Sequence, residues 1–225
     1  MVGAGRRKAI EARLRAELAA LRREVMALRV DQPPSEPFDW LARAERAEQA
    51  RASLNAAAVL RGSLPGDLEA SAVHALAAGR CQAAIEAAYP IGFHQQLDRL
   101  QAGDREGLPL VLAFLEADPY VFGSGYAKER ALRALKRITL TNGEVDRLRR
   151  IVIAAVEGPD QRTFHAYRRL AGHLDGQSLQ DALTDRLSHP EERVRRHARW
   201  VRESLEQHRR TEQGRRAKAT AARPS

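Results

Sequence analysis

The sequence predicts an all-α protein: a long N-terminal helix followed by antiparallel helical hairpins stacked as a short superhelix. Three observations predict it. The apolar inventory is mostly Ala and Leu, while aromatic residues make up only 5%, so strong helix formers outweigh the residues that favour strands. Apolar positions recur at spacings of three and four, the period of one helix face. Glycine and proline punctuate the chain between those segments. With 225 residues, 44% of them hydrophobic, the chain is long enough to bury a core as one domain or as a continuous array.

Residues 1–30 form the first segment. No Gly or Pro interrupts residues 6 to 30, and Leu14, Leu18, Leu21, Val25 and Leu28 alternate at spacings of four and three. That is a heptad seam, with Leu18 and Val25 at position a and the other leucines at d. Glu17 and Glu24 then stand at g, five residues before Arg22 and Arg29 at e, the arrangement for interhelical ion pairs in a parallel dimer. Two heptads are marginal alone, so the seam packs either on the chain's own next helix or on a second copy.

Residues 31–37 contain Pro33, Pro34 and Pro37, which lack amide donors and restrict the residues before them, so this is a short, stiff linker. Ser35 is placed to cap the following helix, with Pro37 in its first turn. Residues 38–104 form a helical region. Leu41, Ala44, Ala47, Leu54 and Ala58 give an apolar stripe ending near Gly62, and Pro65 and Gly66 mark a turn. Helices are expected over 68–78, 82–88 and 93–101, divided by Gly79, by Pro90 and Gly92, and ended by Gly103.

From 105 to 207 three helical hairpins can be laid out. Residues 108–116 precede Asp118-Pro119 and a helix over 124–137. Residues 144–156 precede Gly158-Pro159 and a helix through Phe164, Tyr167 and Leu170. Residues 179–187 precede Ser188-His189-Pro190 and a helix whose Val194, Ala198, Val201 and Leu205 form a one-sided stripe. Proline recurs at 119, 159 and 190, each time where a missing amide hydrogen is tolerated.

The run from Leu187 through Pro190, Val194, Arg195 and Ala198 resembles the HEAT-repeat signature, in which Asp-Pro and then Val-Arg precede an alanine-spaced helix. Asp118-Pro119 resembles its beginning. The resemblance covers residues 105–207, is strongest in the last unit, and departs from the family at 120–125, where an aromatic, Gly-rich turn replaces the usual short one. It implies an α-solenoid that binds a partner rather than one that catalyses a reaction. Residues 208–225 are polar and basic with few apolar anchors, and are expected to be a disordered tail.

The net charge of +9 lies at the two ends of the chain, and only four of the 38 basic residues are lysines. A single cysteine, Cys81, excludes an internal disulfide framework and points to a reducing compartment, with the thiol as a small buried apolar group. No stretch offers about 18 uncharged apolar residues for a membrane span, and no signal-peptide core precedes the first helix. A cytoplasmic protein is expected.

Catalytic, cofactor and metal sites are not expected. No two of the seven histidines have the spacing of three or four that presents two imidazoles to one metal. The run from Phe122 to Lys128 superficially suggests a phosphate loop, yet it follows a helix and lacks the required spacing. Its glycines permit a positive-φ turn, and Ser124 is placed to cap the next helix.

The richest candidate is this same turn, where Tyr120, Phe122 and Tyr126 stand beside Lys128, Arg130 and Arg133. Aromatics beside cations suit recognition of peptide or nucleic acid. A second candidate, for polyanions, is the cluster Arg193, Arg195, Arg196, Arg199 and Arg202 with Arg209 and Arg210. The leading expectation is a non-enzymatic scaffold or adaptor for a partner protein, with the N-terminal helix available for self-association or a second partner. The alternative is a nucleic-acid-binding protein of HEAT-like form, as the alkylated-DNA glycosylases of that fold are, but no catalytic Asp with a supporting aromatic can be placed on this chain. If the seam joins two copies, Leu21→Asp will halve the molar mass in light scattering while leaving the helical signal of the repeats unchanged.

Overall fold

A computed structural model describes residues 38–221 and, from the N-terminal stretch, Gly5, Lys8, Ala9, Ala12, Arg13, Ala16, Glu17, Ala19, Ala20 and Arg23, which are helical. The seam residues Leu14, Leu18, Leu21, Val25 and Leu28, and the linker with Ser35, lie outside the described residues. Among the described residues there is no strand, and the fold is all-α. The chain divides into two compact units, Met1–Phe93 with Ala117–Ser124, and His94–Glu116 with Gly125–Ser225.

The first unit is built on the hairpin of α1 (Trp40–Ser63) and α2 (Leu68–Ala87), which pack on each other. Helix α1 starts at Trp40, where Asp39 accepts a hydrogen bond from the amide of Ala42 at 3.0 Å. The capping residue is therefore Asp39 rather than Ser35, since a short acceptor directly before the first turn satisfies an otherwise orphaned amide. The buried residues on the two helices are mainly small: Ala44, Ala47, Ala57, Ala70, Cys81 and Ala87. Helix α2 runs unbroken through Gly79, contrary to the expected division into two. One interior glycine costs a helix only about 1 kcal/mol, and the alanines around it favour continuation. At the open end of the hairpin, Trp40 meets Phe93 edge-on at 5.5 Å and Phe93 stacks on Tyr89 at 5.2 Å.

The second unit contains α3 (Phe93–Gln101, from His94), α4 (Leu108–Ala117, to Glu116), α5 (Ser124–Leu135, from Gly125), α6 (Asn142–Glu157), α7 (Phe164–Ala171), a 3-10 turn (Gly172–Leu174), α8 (Gln177–Leu187) and α9 (Glu192–Ala221). Helices α4 to α8 begin and end within a few residues of those expected in the hairpins, and α9 begins where its hairpin predicts. Helix α6 opens with a capping box, in which Thr141 and Glu144 reciprocally satisfy each other's backbone amides. In α9, Val194, Ala198, Val201 and Leu205 are all buried, and this seam packs α9 on α6, α7, α8 and the 3-10 turn.

Helix α9 does not stop near Gln207 as expected but continues through Ala221. Ala, Arg, Gln and Glu dominate this stretch and proline is absent until Pro224, so an established helix propagates although it buries little. Arg209 also fastens it to the 3-10 turn, pairing with Asp175. That guanidinium holds the Asp175 carboxyl below the usual range. Its stabilising contribution is present at neutral pH and is lost as pH falls through the lowered value.

One polar group is locked into the core. His197 is 1% exposed, its Nδ1 lies 3.1 Å from the carbonyl oxygen of Val156, and its Nε2 lies 2.7 Å from Oδ1 of Asp160. Its ring stacks on Phe164 at 4.1 Å. The imidazole therefore ties α9 to the end of α6, to the loop after it and to α7. Replacing it by alanine leaves a cavity beneath Phe164 and a buried carbonyl without its donor. His197→Ala is expected to lower unfolding free energy by about 3 kcal/mol, read as a shift in the urea midpoint without a change in slope.

Candidate functional site

Helices α5 and α7 each present a basic stripe, and the two stripes line a common groove of about 200 Å³. From α5 come Glu129 and Arg133, with Lys136 just beyond the helix end; from α7 and the residue two before it come His165, Arg169 and Arg162. The spacings explain the alignment. Glu129 and Arg133 on α5, and His165 and Arg169 on α7, stand four residues apart, so each pair shares one helix face, and Lys136 and Arg162 flank the helix ends. Leu132 and Ala166 complete the lining. The buried faces of the same helices, Ala127, Ala131 and Leu135 on α5 and Phe164, Tyr167 and Leu170 on α7, belong to the core of the unit.

The groove holds four permanent cations and one carboxylate. Glu129 is shared between Arg133 at 3.4 Å and Arg162 at 4.0 Å, while Lys136 and Arg169 form no ion pair among the described residues. Arg162 is 80% exposed on its side chain and lies over the ring of Tyr126, 5.7 Å from its centroid, a cation–π contact at the groove's mouth. Lys136 also reaches toward the next feature along the surface, where His173 and His208 face each other at 4.6 Å between ring centroids. Burial, His208 and Lys136 together push the His173 imidazole below its ordinary pKa. Gly172 allows that approach, because a Cβ there would stand 3.0 Å from His208. No group of three or more metal-ligating side chains occurs among the described residues.

The residues singled out around the 120–126 turn meet different fates. Tyr120, Phe122 and Tyr126 are all about two-thirds exposed or more. The turn is made by Asp118 and Gly123, both with positive φ, and Ser124 is the first helical residue, its Oγ accepting from the amide of Val121 at 3.3 Å. Lys128 is 1% exposed and presents nothing to solvent, because its position on α5 falls on the core face beside Ala127, Ala131 and Leu132. Arg130 turns to α3, where it bonds Asp98 and Gln101. Arg133 alone of these cations lines the groove.

The arginines of α9 are largely compensated by carboxylates of the same unit. Arg193 pairs with Glu191, Arg195 and Arg199 share Glu192, and Arg196 binds Asp160. Arg209 pairs with Asp175, while Arg202 and Arg210 both approach Glu206. The two guanidinia hold Glu192 below the ordinary carboxylate range, and His197 with Arg196 does the same for Asp160. Cys81 is buried, and burial raises its thiol pKa, which disfavours the reactive thiolate. No helix among the described residues is long and apolar enough to cross a membrane.

The groove escaped the sequence reading because it is tertiary. Arg133, Lys136 and His165 are each noticeable in the sequence, and the spacing of His165 and Arg169 marks a shared face, but nothing local says that the two faces meet. No protein-family model, curated protein or solved structure matches the chain, so the site's own chemistry carries the functional argument. Like charges gathered without compensation oppose folding. Arg169→Gln is therefore expected to leave the helical content unchanged and to raise the melting temperature by about 1–3 °C in 10 mM salt, the gain vanishing in 500 mM salt as screening sets in.

Proposed function

We propose that this protein is a non-enzymatic helical-repeat scaffold of HEAT-like construction that docks a partner protein through the groove between α5 and α7. The observation that carries the reading is the charge imbalance of that groove. Four permanent cations stand there about one carboxylate, and Lys136 and Arg169 form no ion pair among the described residues. Exposed Tyr126, held beside Arg162, supplies the amphipathic contact area characteristic of docking surfaces. The complementary partner surface is acidic.

Nucleic acid is the competing polyanion. A nucleic-acid surface needs cations spread along a track of phosphates, and α9, which has the most arginines, has already engaged them with Glu191, Glu192, Asp160, Asp175 and Glu206. Affinity capture with the wild-type chain and with Lys136→Glu/Arg169→Glu, alongside fluorescence anisotropy of labelled DNA and RNA over a salt series, separates the two. The expected result is a protein partner recovered at least tenfold less by the variant, with nucleic-acid binding weak and gone by about 200 mM salt. Tight nucleic-acid binding that survives that salt and is abolished by the same substitutions would overturn the docking reading.

A further inference from the structure

Resting on the docking reading, we infer that the α5–α7 groove is a phosphomonoester site, one that recognises a phosphorylated side chain on the partner polypeptide rather than an acidic residue. The juxtaposition of Arg133 and Lys136 with Arg162 and Arg169 across a small cleft is what assigns it.

Three properties of the groove agree on this ligand. The first is charge. Four permanent cations against Glu129 leave an excess that a single carboxylate does not balance, whereas a phosphomonoester carries nearly two negative charges at neutral pH. The second is the direction of the donors. Cations arrive from two facing elements, with Arg133 and Lys136 on one side and Arg162 and Arg169 on the other. A carboxylate offers its oxygens in one plane, but a phosphate offers three acceptors disposed around a tetrahedron, and guanidinium forks bind it bidentately.

The third property is size. A cavity of about 200 Å³ has room for a phosphate and the short stem that carries it. Glu129 fits the same picture. Bridging Arg133 and Arg162 at 3.4 and 4.0 Å, it is a loosely held carboxylate that keeps the two guanidinia near one another and can yield them to a stronger anion.

The test observes the arginine Nε–H signals of the full chain by NMR during titration with three probes. These are N-acetyl-O-phosphoserine methylamide, N-acetylglutamate methylamide and the dinucleotide dTpdT. The phosphoserine probe is expected to shift Arg133, Arg162 and Arg169 saturably, with a Kd at least tenfold lower than that of the glutamate probe. Lys136→Gln/Arg169→Gln should weaken it at least tenfold, while Arg150→Gln, which removes an exposed cation of α6 outside the groove, should leave it unchanged. Equal affinity for phosphoserine and glutamate probes would overturn the phosphate inference and leave docking of an acidic partner standing. Affinity for dTpdT matching that for phosphoserine would overturn both. Shifts confined to the arginines of α9, or none with any probe, would remove the site from this groove, and the docking reading would then rest on the capture experiment alone.

Discussion

The burial of one narrow stripe on α9 sets the terms for the second unit. Val194, Ala198, Val201 and Leu205 are withdrawn from water together, and four other elements pack against the helix that carries them. A helix so rich in arginine can be held this way only if its remaining faces solve their own electrostatics. They do so with Glu191, Glu192, Asp160, Asp175 and Glu206, each close to a guanidinium. Such exposed pairs contribute little individually to stability.

In the α5–α7 groove four permanent cations stand about the single carboxylate of Glu129. Its two basic stripes are fixed by the apolar faces behind them, Ala127, Ala131 and Leu135 on one helix and Phe164, Tyr167 and Leu170 on the other. The core packing thus holds like charges at close range and supplies a single carboxylate between them. A surface that spends folding stability on unbalanced charge is in the condition expected of a binding site, where local consistency gives way to recognition.

Much of the fold was legible because helices announce themselves by period. Helices α4 to α9 follow from recurring apolar positions and the prolines between them, and the stripe from Val194 to Leu205 is buried as its spacing requires. The failures are of two kinds. Gly79 and the polar end of α9 mislead in the sequence because the continuity of strong helix formers around them outweighs a weak helix breaker and a shortage of apolar anchors. The groove is hidden in the sequence for a different reason. Lys128 and Arg133 look alike in the sequence, yet they lie five residues apart on α5, so one faces the core and the other the groove, and Arg162 and Arg169 join Arg133 only through tertiary packing.

The length of α9 has a mechanical consequence. Thirty residues at about 1.5 Å each make a rod of roughly 45 Å, and its last apolar anchor in the core seam is Leu205. Some 16 residues, about 24 Å at the same rise, therefore run on past that anchor, secured near their beginning by His208 against His173 and by Arg209 on Asp175. Growth of such an extension needs no new nucleus, since the helix behind it is already formed. Fraying from its end can therefore proceed a residue at a time and leave the core seam, which ends at Leu205, intact.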